Sequence, residues 1–289
     1  MNSWLVAARP PTLLAAVAPV LVGSATAWRD DVFEWDVFVV TLVTAVLINI
    51  AVNFANDASD AKRGADGVDR IGPTRVVAGG LLTAQQVWRG TALVLALAVG
   101  GGAYLAFRAG WVVVAIGVAA IGAALAYTGG PWPYGYRGLG EVFVFVFFGL
   151  AAVVGSRYVH DQTAPGAVWL LAIPVGFLVT AILVANNIRD IDTDPAAGKR
   201  TLAVLLGRTG TRVLHTALVV GAFGAIAVFA ATGWIPGTAA IALAAAPLAV
   251  APVRTVLRST DGPGLIAALR GDARLHLAVG VLLAIGVAA

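Results

Sequence analysis

The sequence predicts an all-α integral membrane protein, a bundle of about nine transmembrane helices. Three observations predict it. The chain is 60% hydrophobic and only 12% charged, with a mean hydropathy of +0.89, whereas ordinary globular chains are about 25% charged. Its apolar residues fall into blocks of about 18–22, the length a helix needs to cross about 30 Å of hydrocarbon. The bases are also unevenly shared between the connections. With the N-terminus inside, sixteen of the nineteen Lys and Arg residues lie at inside ends and loops. The opposite side keeps Arg29, Arg108 and Arg157 and an acidic patch of Asp30, Asp31, Glu34 and Asp36. Positive charge retained on the cytoplasmic side sets that orientation.

Nine spans follow, at roughly 11–29, 36–56, 84–107, 111–129, 139–158, 167–188, 211–232, 236–257 and 272–289. The first begins after Arg9 and lacks a small-residue cleavage site followed by a polar region, so it reads as a span rather than a signal peptide. Glycines within the spans (Gly100–Gly102, Gly149, Gly221, Gly224) read as close-packing positions. Connections on the outside are tight, such as Ala109–Gly110. The inside connections 57–83 and 189–210 are long and rich in aspartate, as functional loops tend to be. The whole chain, 1–289, reads as one transmembrane domain. The chain has no cysteine, which excludes disulfides and thiolate chemistry. The positive charge is explained by membrane orientation, so nucleic acid is not an expected partner.

The two long loops echo each other. Asn53-x-x-x-Asp57 closes the second span and Asn186-x-x-x-Asp190 the sixth. More Asp follows each, and then Lys62-Arg63 or Lys199-Arg200. The motifs lie four spans apart, which predicts two pseudo-repeated four-helix units plus a final helix. Residues at i, i+3 and i+4 share a helix face. Asn53, Asp57 and Asp60 are expected on one face, and Asn186, Asp190 and Asp194 on another if the helix runs that far. Such acids can simply mark where helices leave the bilayer. Two sets on one side, each with a membrane-facing Asn and a following Lys-Arg, predict more. Hard oxygen ligands at this density suit Mg²⁺, which keeps waters and is held by a few carboxylates with substrate phosphates. Asp66 is a further candidate ligand. Lys62, Arg63, Lys199 and Arg200, with Asn53 and Asn186, are expected to face a diphosphate.

A third polar segment, Tyr127 to Glu141, carries three tyrosines, Trp132 and a dense set of Gly and Pro. It reads as a shaped loop. Its rings can face a cation, and Tyr127, at a helix end, is the one expected in the site. His160, His215 and His276 are scattered, and no Ser/His/Asp set is evident. Two carboxylate clusters facing a bilayer-embedded cavity predict ionisation of a lipid diphosphate. Metal and bases would stabilise the departing diphosphate, and a dry cavity would protect the allylic cation until an electron-rich acceptor attacks. A cation or phosphate transporter is the alternative from another class. It requires ionisable groups along a path through the bilayer, and the clustered acids here lie at one face.

At these residues the sequence resembles the UbiA superfamily of membrane prenyltransferases. Four blocks carry the likeness: ARPPTLLAAVAPVLVGSA (7–24), NDASDAKRGADGVDRIGPTRVV (56–77), YTGGPWPYGYRGLGEVFVFVFFG (127–149) and NNIRDIDTDPAAGKRTLAVLLG (186–207). They are most similar to the MenA branch, the 1,4-dihydroxy-2-naphthoate polyprenyltransferases of menaquinone synthesis. The resemblance implies Mg²⁺-dependent transfer of a polyprenyl group from polyprenyl diphosphate to 1,4-dihydroxy-2-naphthoate, with loss of CO₂, in the inner membrane. It implies a metal–diphosphate role for Asn53, Asp57, Asp60, Asp190 and Asp194, basic contacts from Lys62, Arg63, Lys199 and Arg200, and a catalytic place for Tyr127. Many superfamily members place a second carboxylate four residues after the first. Here that position is Ala61, so Asp60 or Asp66 serves. Other aromatic acceptors, such as 4-hydroxybenzoate or homogentisate, remain open at this point.

Overall fold

A computed structural model describes residues 2–64, 72 and 74–289. Asp66 therefore lies outside the described residues, as do Asp69 and Arg70. The described chain is helical throughout, with no strand among the described residues. A short helix α1 (Ser3–Ala8) precedes nine longer ones: α2 (Pro10–Arg29), α3 (Trp35–Lys62), α4 (Ala84–Ala109), α5 (Trp111–Ala126), α6 (Gly140–Asp161), α7 (Gly166–Arg189), α8 (Leu202–Ala231), α9 (Gly237–Arg258) and α10 (Gly262–Ala288). All but α1 and α5 are long and apolar enough to cross a membrane. At 16 residues, α5 spans about 24 Å. This is a multi-pass membrane protein.

The bundle is apolar outside as well as inside. Leu93, Leu97, Phe107 and Val118 are exposed, as they must be where lipid is the solvent. The most enclosed helix is α7, buried over 67% of its apolar window against 17% for α4. α10 lies along α2, α7 and α9, and α3 along α4. In each half of the chain the second helix, α3 or α7, carries the polar segment. Where α6 meets α7 the backbones touch: a Cβ on Gly149 would stand 2.6 Å from Gly176 Cα, so both positions need glycine. Beside this contact α6 widens into a π turn over Phe145–Ala151.

Several boundaries differ from expectation, each for a physical reason. α3 continues six residues past 56, through Asp57 and Asp60, because their carboxylates find partners and no Gly or Pro intervenes. It stops at Arg63, followed by Gly64 at φ 71°, the left-handed residue that commonly ends helices. The first loop is thus shorter than 57–83. The second shrinks from 189–210 to 190–201, because α8 starts at Leu202, capped by Thr201, and breaks only at Gly207 (φ 67°, ψ 171°). α7 ends at Arg189. Asp194 follows in a short 3₁₀ turn, Asp194–Ala197, so Asn186, Asp190 and Asp194 do not share one continuous helix. α10 begins ten residues earlier than the last predicted span. Asp261 caps it, and its Asp272 is buried against His215 at 2.9 Å. α1 was not expected. Asn2 caps it, and Trp4 packs 5.5 Å from Phe54 of α3.

Candidate active site

A cavity of about 610 Å³ lies within the bundle. Along α3 its wall runs from Thr41 to Asp60, a rise of about 28 Å at 1.5 Å per residue. Most of that length is apolar, faced by Leu105, Ile116, Phe147, Val159 and Ile182. The polar groups gather at the end where α3 and α7 terminate.

On the α3 wall stand Asn49, Asn53, Asn56 and Asp60. Asn53 donates to Ala8 O (2.9 Å) and Thr12 Oγ1 (3.0 Å), tying the α1–α2 junction to α3. Asn56 Oδ1 accepts from Thr128 Oγ1 at 2.9 Å. Asp60, 1% exposed, accepts from the Tyr136 hydroxyl at 2.8 Å. Lys199 Nζ (3.4 Å) and an Arg75 nitrogen (3.5 Å) approach its other oxygen. Asp57 is equally buried but is not on the cavity wall. Three residues short of Asp60 means about 60° around the helix, and there its two oxygens accept from the backbone N–H groups of Val76 (3.1 Å) and Val77 (3.0 Å). The N-x-x-x-D pair that faces the cavity is Asn56–Asp60.

On the α7 wall stand Asn186, Asn187, Arg189, Asp190 and Asp194. Arg189 holds its neighbour Asp190 through two nitrogens, at 2.7 and 2.5 Å. One i to i+4 bond survives beyond the helix, from Asp194 N to Asp190 O at 2.9 Å, and it keeps both side chains on the cavity. Burial pushes the Asp194 carboxyl up to about 6. Lys199 opposes the rise, while Asp190 and Asp60 add to it. Three carboxylates thus converge closely enough to feel one another.

The 127–141 loop closes the third side. Tyr127, Tyr134 and Tyr136 all line the cavity. Gly135 N donates to Tyr127 O at 2.9 Å, and Tyr134 stacks on Phe143 at 3.9 Å between centroids. Lys199 Nζ lies 4.9 Å from the centre of the Tyr136 ring. The other expected bases fall elsewhere. Arg63 donates to the carbonyls of Thr128 (3.0 Å) and Gly130 (2.6 Å), bracing the loop from behind. Lys62 and Arg200 are exposed and off the cavity wall. The structure therefore brings together Asn53, Asp60, Tyr127, Asn186, Asp190, Asp194 and Lys199, and leaves Asp57, Lys62, Arg63 and Arg200 outside the wall. Sequence reasoning missed Asn56, Asn187, Arg9, Arg75 and Arg189 as wall residues. For Asn56 the signal was present, as a second N-x-x-x-D spacing three residues after the first.

The donor set fits a hard divalent cation. Asp60, Asp190 and Asp194 are oxygen donors on one cavity, and the Asp194 carboxyl is raised by burial first, with Asp190 and Asp60 adding to it, a penalty on its charge that a cation would relieve. Among the described residues no three acidic or histidine side chains already form a metal cage. Mg²⁺ does not require one, because it usually takes one or two carboxylates together with substrate phosphates.

Known proteins resemble this chain in sequence and in fold. The model of the UbiA prenyltransferase family matches residues 16–285. The 1,4-dihydroxy-2-naphthoate octaprenyltransferase of Mycobacterium leprae is 42% identical, over 92% of this chain and 90% of its own. The protein of that name from Mycobacterium tuberculosis is 40% identical, over 98% and 95%. Among solved structures, a UbiA homolog from Archaeoglobus fulgidus bound to GPP and Mg²⁺ superposes with a TM-score of 0.66 at 15% identity, over 97% of this chain and 99% of that one.

Proposed function

The chain belongs to the UbiA prenyltransferase family, and from that premise we propose that it prenylates 1,4-dihydroxy-2-naphthoate. A polyprenyl group passes from polyprenyl diphosphate to the naphthoate ring, diphosphate and CO₂ leave, and demethylmenaquinone forms. The observation that carries this reading is the two-part cavity: along a wall of about 28 Å, carboxylates and bases gather at one end and apolar and aromatic side chains line the rest. Such a shape suits a molecule with a diphosphate head and an isoprenoid tail. The acceptor assignment rests on the two mycobacterial relatives.

Asp60, Asp190 and Asp194, with Asn56 and Asn186 beside them, are the residues that would hold Mg²⁺. When bound, the ion supplies positive charge to the diphosphate as its bond to the allylic carbon breaks. Lys199, Arg75, Arg189 and Arg9 face the same end and add charge that is spread by hydrogen bonding. Arg189 holds Asp190 and Lys199 approaches Asp60, so these side chains orient one another on the wall. Tyr134, Tyr136, Phe143 and Phe147 line the cavity, an aromatic setting that can stabilise an allylic cation and keep it from water. No side chain need act as a covalent nucleophile. The basic end of the bundle, with the N-terminus, faces the cytoplasm across the inner membrane.

Membranes containing the protein should convert dihydroxynaphthoate and geranylgeranyl diphosphate to a prenylated, decarboxylated product seen by mass spectrometry. Full turnover in EDTA would overturn the metal-dependent mechanism. Equal turnover of 4-hydroxybenzoate would overturn the acceptor.

A further inference from the structure

We infer that Asp57 is a positioning residue, which pins the Thr74–Leu82 segment onto α3 and so sets Arg75 and Arg9 on the cavity wall. The inference rests on the reaction proposed above for its kinetic consequences, but its structural basis is independent. Asp57 is 1% exposed, and its carboxylate is turned about 60° from Asp60 around α3. Both oxygens are engaged by backbone: Oδ2 by Val76 N (3.1 Å) and Oδ1 by Val77 N (3.0 Å). Two backbone N–H groups received by one carboxylate form a bidentate, charge-assisted clamp. The clamped segment is compact. Val76 O accepts from both Leu81 N (2.9 Å) and Leu82 N (3.0 Å), and Arg75 O accepts from Gly79 N (2.9 Å). Val76 itself is fully buried among Ala7, Phe54, Ala58 and Val87.

The clamp bears on the cavity through two arginines. Arg75 immediately precedes the clamped pair, lines the cavity and approaches Asp60 at 3.5 Å. Arg9 also lines the cavity and reaches Asp57 Oδ2 at 3.7 Å through its Nη2. One carboxylate outside the wall thus holds two cations in it, one directly and one through two peptide groups. Asparagine at this position keeps the size but loses the charge opposite Arg9 and turns an NH₂ donor toward a backbone donor.

The test compares Asp57→Asn with Asp60→Asn in the full-length protein in detergent. Limited trypsin digestion, without metal or substrate, reads the clamp whatever reaction the protein catalyses. Asp57→Asn should be cut after Arg75 several-fold faster than wild type, and Asp60→Asn should not. With geranylgeranyl diphosphate, Asp57→Asn should raise KM about tenfold, the loss of roughly one good hydrogen bond, while the Mg²⁺ concentration for half activity stays within about twofold. Arg75→Ala should give the same KM change, and Asp57→Asn in that background should add little, because coupled residues are not additive. Arg75→Ala also carries the test should Asp57→Asn fail to fold. Unchanged digestion after Arg75 overturns the inference. So does a shift in half-activating Mg²⁺ in Asp57→Asn like that in Asp60→Asn, or an unaltered KM in Arg75→Ala. Absence of prenyl transfer in wild type would instead count against the proposed reaction, and the digestion result would still stand.

Discussion

Asp60 and Asp194 face one cavity from opposite walls, and they are held in opposite ways. Asp60 sits on an unbroken helix and is met by a tyrosine hydroxyl and two basic side chains. Asp194 sits beyond the end of α7 in a short 3₁₀ turn, buried, with a threonine hydroxyl at 3.3 Å as its side-chain donor. Its carboxyl is pushed up to about 6. The two motifs look alike in sequence, yet one of these carboxylates is met by three side-chain donors and the other by one. The difference assigns rigidity to α3 and responsiveness to the 190–201 segment.

The largest test removes either wall. Asp60→Ala or Asp190→Ala should lower turnover by at least about 10²-fold, the scale of losing one charge-stabilising group from a dry site. If the walls act as a unit, the double variant should be scarcely worse than either single one. Initial rates of product formation in membranes decide it, and simple additivity would break the comparison.

The next test reads Asp194 through pH. A raised carboxyl means the folded protein keeps a proton that the unfolded chain has already released between about pH 4 and pH 6. Stability from this group therefore falls as pH rises through that window, and the penalty is complete above about 6. Its ceiling is about 3 kcal/mol. Metal-free protein should melt higher at pH 5 than at pH 7.5, as far as this group is concerned. Asp194→Asn should flatten that difference, and Mg²⁺ should restore stability at pH 7.5. Tm against pH for both proteins, with and without Mg²⁺, sharpens the contrast. An Asp194→Asn profile parallel to wild type would contradict it.

Smaller effects are expected behind the walls. Arg63→Ala removes two hydrogen bonds to loop carbonyls and should cost about 1 kcal/mol, given its exposure. That should appear as a modest fall in Tm with turnover largely kept. Lys62→Ala and Arg200→Ala should change stability by less than about 0.5 kcal/mol and turnover by less than about twofold. Arg200 meets Tyr136 through its backbone N–H, which substitution leaves in place. A large loss of turnover in either variant would return these bases to the diphosphate.

The membrane bundle was legible because hydropathy acts over whole helices. Nine apolar blocks and a one-sided distribution of bases leave few other folds. The bringing together of α3, α7 and the 127–141 loop was legible too, from their shared polar character. Helix ends were harder. Charge usually ends a span, so the second span is drawn only to residue 56, but buried partners let α3 run on through Asp57 and Asp60 to Lys62. Asp272 misled in the same way at the start of α10. Register around the helix was hardest of all. Asn53–Asp57 and Asn56–Asp60 have the same spacing, and periodicity alone does not say which pair looks inward. Backbone donors from residues 76 and 77 separate them, and a contact across nineteen residues leaves no local trace in sequence.

The π turn at Phe145–Ala151 has a consequence for how α6 was put together. A π turn accommodates one residue more than an α turn in the same rise. The stretch before it, with Glu141 bonded to Asn187 at 2.8 Å, and the stretch after it, with Arg157 paired to Asp30 at 3.0 Å at the far end, are therefore out of phase by about 100°. Each half is aimed at its own neighbours, and the extra residue lets one helix serve both. Deleting a single residue here would leave the sequence nearly intact and still force a choice: the inner half keeps its partners or the outer half does.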